Sequence, residues 1–265
     1  MLSVLVTGAT SGIGLTIATK LHERGFKVFG TSRFPEKYQQ KLPFPLLPLD
    51  ITSEESVNRC VAAFSARSPV IDVLINNAGM LVSGSAEGTS LDEARQQLDA
   101  NFWGTVMLTR AILPRMRQQR KGRIITIGSV AGLIGVPFQS YYAASKHAIE
   151  GFFKSLRFEV APFNIDVSVI EPGFFKTNLE QTNEPARSTI PDYEVSQKNA
   201  LRIFAESIRK APTPEPVAEV TLKVIQASRP RFSYRVGSEA KLLPLLQFMS
   251  YRFFEWGARR KFKSA

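Results

Sequence analysis

The chain has a single cysteine, Cys60, and only two histidines among 265 residues. One thiol cannot form an internal disulfide, which suits a reducing compartment, and no metal-ligating cluster is read from the sequence. No stretch supplies the ~18 uncharged apolar residues of a membrane span. The N-terminus opens directly on the strand-like SVLVTGAT, with no charged leader and no cleavage site, so a cytoplasmic location is expected. Linkers and internal repeats are also missing. No basic motif with interleaved stacking aromatics occurs outside the C-terminal segment, so nucleic acid is not an expected partner, although the formal net charge is +11. That charge permits attraction to phosphates or acidic head groups and is silent about the fold. What is present is ordinary for a soluble globular protein, with 44% hydrophobic and 22% charged residues. The length suits one domain over residues 1–265 with a real core.

Apolar, β-rich runs alternate with helical patterns. SVLVTG reads as a buried strand, followed by a helix over residues 13–24 that Gly25 stops. FKVFGTSR, FPLLPLDI, IDVLINNAG, GRIITIGS and IDVSVIEPG read as further strands, and RFSYRVG as a late one. The prolines make FPLLPLDI an awkward strand. SEESVNRCVAAFSAR has helical spacing with a capping pattern at Thr52–Glu55. Residues 91–116 read as one long helix with Pro114 as a candidate stop, and 142–161 and 216–227 as two more. Near-continuous apolar strands alternating with helices predict an α/β fold: a doubly wound parallel sheet with helices on both faces. Residues 174–212 carry several prolines and weak periodicity and read as a mobile insertion covering a site.

TGATSGIG places Gly8, Gly12 and Gly14 where the first strand turns into the first helix. Glycines there let the backbone approach a pyrophosphate that faces the helix N-terminus. Thr10, Ser11 and Ile13 belong to the same turn. The end of the second strand should meet the adenosine ribose, where a carboxylate would hold two hydroxyls and repel a 2′-phosphate. The sequence offers Thr31, Ser32 and Arg33 instead, with no carboxylate before Glu36. Arg33 can pair with a 2′-phosphate, so NADP(H) is favoured over NAD(H); the plainer reading leaves Arg33 in solvent. Asp50, followed by Ile51, either accepts from the adenine amino group or caps the next helix.

The stretch QSYYAASKHAIEG carries the reacting group. Residues four apart share a helix face, which pairs Tyr142, and not Tyr141, with Lys146. A nearby ammonium would stabilise the phenolate and lower its pKa, leaving a tyrosine able to exchange a proton with a carbonyl or alcohol oxygen. Ser129 precedes Tyr142 by 13 residues, enough loop to bring its hydroxyl beside the phenol. His147 points about 100° away from Lys146 and reads as structural. In NNAG, Asn76–Gly79, the amides can brace neighbouring strands while Gly79 lets a nicotinamide ribose approach. Asn101 lies inside a helix, where its expected use is to distort the backbone so that a carbonyl holds a water near Lys146.

These residues together resemble the short-chain dehydrogenase/reductase family. The similarity runs in order through Thr7-Gly8, Gly12-Ile13-Gly14, Asn76–Gly79, Asn101, Ser129, Tyr142, Lys146, Pro172-Gly173 and Thr177. The stretch from Gly128 to Gly173 is similar to the branch that holds 17β-hydroxysteroid dehydrogenase type 1 and the retinol dehydrogenases. The resemblance implies a single Rossmann-type domain and hydride transfer between a nicotinamide and a carbonyl or alcohol carbon. It implies Tyr142 as acid/base, Lys146 as its tuner and ribose ligand, Ser129 as carbonyl anchor and Asn101 as support for a proton relay. Gly8, Thr10, Ser11, Gly12, Ile13, Gly14, Ser32, Arg33, Asp50, Ile51, Asn77, Ala78, Gly79, Pro172, Gly173 and Thr177 are the implied cofactor contacts. A homodimer or homotetramer is implied as well. One rival reading is a 3-oxoacyl thioester reductase of lipid metabolism; another is a nucleotide-binding regulatory protein without turnover.

The last segment, about residues 241–263, is amphipathic and basic. Leu242, Leu246, Met249, Phe253 and Trp256 step by three or four, flanked by Arg252, Arg259, Arg260, Lys261 and Lys263. It could lie on an anionic membrane surface, cover an apolar pocket or form a subunit contact. In each case a small hydrophobic substrate fits better than a sugar.

Overall fold

Successive residues along each strand serve opposite faces of the sheet. On β1 (Ser3–Val6), Val4 and Val6 join one core cluster and Leu5 the other. The same alternation sends Ile75 and Leu74 of β4 (Val73–Asn76), and Ile125 and Ile124 of β6 (Gly122–Ile127), to opposite sides. Both faces are apolar, so both must be covered, and that is why strands and helices alternate in the chain. The computed structural model describes residues 1–177 and 183–262.

One face is covered by α1 (Gly12–Glu23) and the other by α2 (Glu54–Arg67), with Ile17 and Leu21 in one cluster and Val57 and Phe64 in the other. The sheet is parallel and seven-stranded, in the order β3-β2-β1-β4-β6-β7-β9. Its remaining members are β2 (Lys27–Ser32), β3 (Leu46–Pro48), β7 (Ile165–Pro172) and β9 (Ser233–Val236). The strand order reverses at β1, which makes the crevice between β1 and β4 the topological switch point where such sheets bind ligands. FPLLPLDI is a strand because β3 lies at the sheet edge, where proline does not break a central ladder.

The long helix expected over residues 91–116 is three pieces: α3 (Leu91–Leu98), a π-helical turn (Asp99–Trp103) and α4 (Gly104–Gln119). Pro114 does not end α4. It is solvent-exposed, while Ile112 and Met116 on either side are fully buried and hold the helix together. The cap of α2 is Ser53, which accepts from Ser56 N, in place of the box read at Thr52. Helix α5 (Ser140–Val160) then packs Ile149, Phe153 and Leu156 beneath the sheet. A small second sheet pairs β5 (Leu81–Ser83) with β8 (Asn183–Pro185), which the periodicity did not reveal.

The weakly patterned segment 174–212 contains a helix, α6 (Pro191–Lys210), whose Ala200 and Ile208 are buried. Part of that segment lies outside the described residues. It is followed by α7 (Glu215–Gln226), then by α8 (Ser238–Met249) and α9 (Tyr251–Phe262) after β9. Among the described residues no helix is long and apolar enough to cross a membrane.

Candidate active site

The loops at the carboxyl ends of β1, β2, β3, β4, β6 and β7 carry nearly every residue singled out from the sequence, and parallel pairing puts those ends on one edge of the sheet. Gly8 and Gly12 take φ of +64° and +53°, a region glycine enters without penalty. A Cβ on Gly14 would collide with Asn77 Nδ2 and the Gly8 carbonyl, so that position admits no side chain. The Cβ position of Gly12 lies 3.4 Å from Thr177 Cβ, which brings Thr177, four residues past Gly173, over the glycine loop. Ser11 caps α1 without a side-chain hydrogen bond, and its first turn holds no acidic residue. The first amides of α1 thus have no cap from the Ser11 side chain, and a pyrophosphate fits there. Gly14→Ala is expected to lower unfolding free energy by about 1–3 kcal/mol and to weaken nucleotide binding, checked by denaturant unfolding and by titration of nicotinamide fluorescence.

Asn77 braces this edge. Its Nδ2 donates to Thr7 O at 2.9 Å, while Asn77 N and Ala78 N both donate to Thr7 Oγ1, at 2.8 and 2.9 Å. Thr7 was not singled out as a site residue, yet it ties β1 to β4 at the switch point. Asn76 is buried between Thr109 and Thr126. Arg33 is exposed at the end of β2. Asp50 is exposed too, and its Oδ1 accepts from Thr52 N and Thr52 Oγ1 at 3.0 and 2.7 Å. Those two bonds, helped by the charge of Arg33, hold its carboxyl below the usual carboxylate range. Ile51 is buried against Gly104.

Asn101 sits in the π-helical turn, so the helix is distorted where the sequence suggested. Its side chain is fully engaged: Oδ1 accepts from Met80 N at 2.7 Å, and Nδ2 donates to Met80 O at 2.9 Å and Ser145 Oγ at 3.1 Å. Ser145 was missed, because nothing in its local pattern signals a contact 44 residues away. The Asn101 carbonyl accepts from Thr105 Oγ1 at 2.9 Å.

Ser129 follows β6, its Oγ accepts from Ala131 N at 3.1 Å, and it lies close enough to the Tyr142 hydroxyl to favour the phenolate. Burial pushes the phenol above its usual pKa of 10.0, and the nearby Ser129 hydroxyl only partly offsets this. The expected lowering by Lys146 is therefore not what the free protein shows. The lysine ammonium lies 5.9 Å from the Tyr142 ring centre and donates to Ile127 O at 3.0 Å. With that orientation, desolvation outweighs attraction at the phenol. His147 Nδ1 meets Ala143 O at 2.9 Å, within its own helix, as a structural residue would.

Behind Lys146 lies a feature not anticipated from the pattern: Glu150, one turn further along α5, and Glu171 on β7, both buried. Glu150 Oε1 makes no hydrogen bond. Desolvation, with the neighbouring Glu171, raises Glu150 to about 8, and desolvation lowers Lys146 to about 8 despite Glu150. Between pH 4.5 and about 8 the unfolded glutamate loses a proton that the folded one keeps, so stability falls as pH rises. From about 8 the folded lysine gives up a proton that the unfolded one keeps, so stability rises again, until above 9 the buried Cys60 thiol, pushed up to about 12, keeps a proton that the unfolded thiol loses and offsets the gain. Thermal midpoints measured from pH 5 to 10 should therefore pass through a minimum near 8, and Glu150→Gln should make the descending limb shallower.

A switch-point crevice lined by glycines, beside a hydroxyl, a phenol and a lysine, is the architecture of an oxidoreductase that works on carbonyl and CH–OH groups with NAD(P). The chain belongs to the short-chain dehydrogenase/reductase family, whose short chain dehydrogenase profile it matches over residues 3–188. It is 36% identical over 255 residues to a 3-ketodihydrosphingosine reductase of Bacteroides thetaiotaomicron, covering 96% of this chain and 92% of that protein. It is 35% identical over 270 residues to retinol dehydrogenase 8 of Bos taurus, covering 93% and 85%. A solved short-chain dehydrogenase from Streptomyces avermitilis superposes with a TM-score of 0.83 at 30% identity, over 98% of this chain and 97% of that one. The branch expected from the sequence, that of the retinol dehydrogenases, is the one these relatives indicate.

Proposed function

We propose that the protein is an NADP(H)-dependent oxidoreductase of a small hydrophobic ketone, aldehyde or secondary alcohol of lipid, steroid or retinoid type, with Asn101, Ser129, Tyr142 and Lys146 as its working residues. The observation that carries this reading is that Ser129, after β6, and the Tyr142–Lys146 pair, with its ammonium 5.9 Å from the ring centre, share the edge of the sheet that also bears the glycine turn. The two relatives above, named for 3-ketodihydrosphingosine and for retinol, support an apolar substrate. So does an apolar cleft lined by Phe138, Phe174, Ala200, Phe204 and Phe262. That cleft adjoins Gln139, three residues before Tyr142 in the chain, and includes the residue after Gly173.

Bound in the crevice, the nicotinamide supplies or accepts the hydride at the substrate carbon. Gly8, Gly12, Gly14, Thr10, Ser11 and Ile13 would hold the pyrophosphate, Ser32 and Arg33 the 2′-phosphate, and Asp50 and Ile51 the adenine. Asn77, Ala78, Gly79, Pro172, Gly173 and Thr177 would enclose the nicotinamide end. In the reducing direction Ser129 donates a hydrogen bond to the carbonyl oxygen and Tyr142 gives that oxygen its proton. A phenol held above its usual pKa is in the protonated form this step requires. Lys146, on the next turn of α5, attracts the phenolate that remains and orients the ribose. The Asn101 carbonyl, in the π-helical turn, would hold a water that returns a proton from solvent.

The reading is tested with a panel of steroid, retinoid, acyl thioester and simple aromatic ketones, each with NADPH and NADH, followed by nicotinamide absorbance. Turnover confined to acyl thioesters would favour the 3-oxoacyl reductase reading instead, and nucleotide binding without turnover the regulatory one. A cytoplasmic enzyme assembled as a homodimer or homotetramer completes the proposal, with sedimentation velocity as the check on assembly.

A further inference from the structure

The amphipathic stripe expected on one C-terminal helix is divided in the folded chain. Extended backbone at Ser250 (φ −158°) separates α8 from α9, and the two helices pack against each other. The inner side of this hairpin is anchored. Ala240 is fully buried, Leu243 and Phe254 pack against Val130 and Ile134, and Gln247 Nε2 donates to Leu133 O at 3.2 Å. The anchoring loop is the one that starts at Ser129. The outer side carries Leu242, Leu245, Phe248, Met249, Phe253 and Trp256, all exposed, with Phe248 at 89% and Met249 at 71%. Leu246, placed on the stripe from the sequence, is only half-exposed; Leu245 and Phe248 take its place.

The charges around this face are of one sign. Between residues 241 and 262 the only acidic residue is Glu255, and Arg259 engages it at 2.8 Å. Lys241, Arg252, Arg260 and Lys261 are exposed, and none makes an ion pair among the described residues. We propose that the outer face of the α8–α9 hairpin docks on the surface of an anionic lipid bilayer, its aromatic and aliphatic tips in the interface and its basic residues at the head-group phosphates. A second copy of this face would bring unpaired positive charges against one another, whereas an anionic surface neutralises them. Exposed apolar side chains flanked by Arg and Lys, on helices too short to span, are the chemistry of an interfacial helix. Lys261 and Phe262, at the end of α9, also line the apolar cleft. The docking element therefore adjoins the cleft assigned to the substrate, and a lipophilic ketone would pass from the bilayer with little exposure to water. This last step rests on the function proposed above; the docking itself does not.

The full chain is mixed with vesicles of phosphatidylcholine alone, or of equimolar phosphatidylcholine and phosphatidylglycerol, and sedimented at low and high salt. The expected result is co-sedimentation with the anionic vesicles at low salt, weakened by salt, with a blue shift of tryptophan emission. Phe248→Ser with Met249→Ser, and separately Arg252→Glu with Arg260→Glu, should each lower partitioning roughly tenfold or more. Both pairs are exposed, so circular dichroism and turnover of a water-soluble ketone should be unchanged. A chain left in the supernatant with anionic vesicles at low salt overturns the proposal. So does equal sedimentation of wild type and both variants. A dimer that Phe248→Ser dissociates also overturns it, by assigning the face to a second copy. Failure to reduce any ketone sinks the enzymatic reading alone, since vesicle binding is read without substrate.

Discussion

Tyr142→Phe is expected to lower ketone reduction by about 10²- to 10⁴-fold, the range for losing a positioned acid, with affinity for the reduced nucleotide nearly unchanged. The substitution removes one oxygen and leaves the ring. Lys146 donates to Ile127 O and not to the phenol, so its anchorage does not depend on that oxygen. Asn101, Ser145 and Met80 form a separate network, and Asn77 with Thr7 another. The fold and the glycine turn should therefore persist, and only the proton destined for the carbonyl oxygen is lost. The measurement pairs single-turnover oxidation of the nucleotide with a binding titration. Turnover that survives in the variant would remove Tyr142 from the reaction. A loss of binding equal to the loss of turnover would mean that the hydroxyl serves the cofactor site and not the chemistry.

Arg33→Ala is expected to weaken NADPH binding by about 10- to 100-fold, the worth of a hydrogen bond to a charged group of about 1.5–3 kcal/mol, and to leave NADH binding within about twofold. The guanidinium is exposed at the end of β2, where the adenosine ribose of a switch-point ligand falls. Asp50, whose carboxyl Arg33 influences there, is already engaged by Thr52. Arg33 is therefore available to an incoming phosphate, and its removal exposes no buried partner. Ser32 Oγ accepts from Phe34 N at 3.1 Å and still has its own proton to donate to the same phosphate. Equal losses for the two nucleotides would cancel the preference for NADPH, and a larger loss for NADH would reverse it. The sign of this comparison is independent of the substrate, so it can be read before any substrate is known.

Much of the site was legible because its signals are local. A strand followed by spaced glycines and a helix specifies a turn whatever surrounds it, and Gly8 and Gly12 duly take positive φ. Four-residue spacing puts Tyr142 and Lys146 on one turn of α5 by helix geometry alone. The apolar runs of β1, β4 and β6 predicted burial on both faces because both sets of alternating residues were apolar. Pattern failed where a position's environment comes from distant segments. The stop expected at Pro114 did not occur because burial of Ile112 and Met116 outweighed one lost helical bond at the surface.

The sequence by itself determined the strands of the main sheet and the helices between them, the glycine turn and the residue types that could carry a proton. These follow from periodicity and from the steric freedom of glycine, which act over a few residues. Only the tertiary structure decided where the Lys146 ammonium points, that burial raises the Tyr142 phenol, that Glu150 and Glu171 meet behind the site, and that the C-terminal stripe divides into a hairpin with its aromatics outward. Desolvation and long-range charge depend on which segments the fold brings together, and no local spacing in the chain records that.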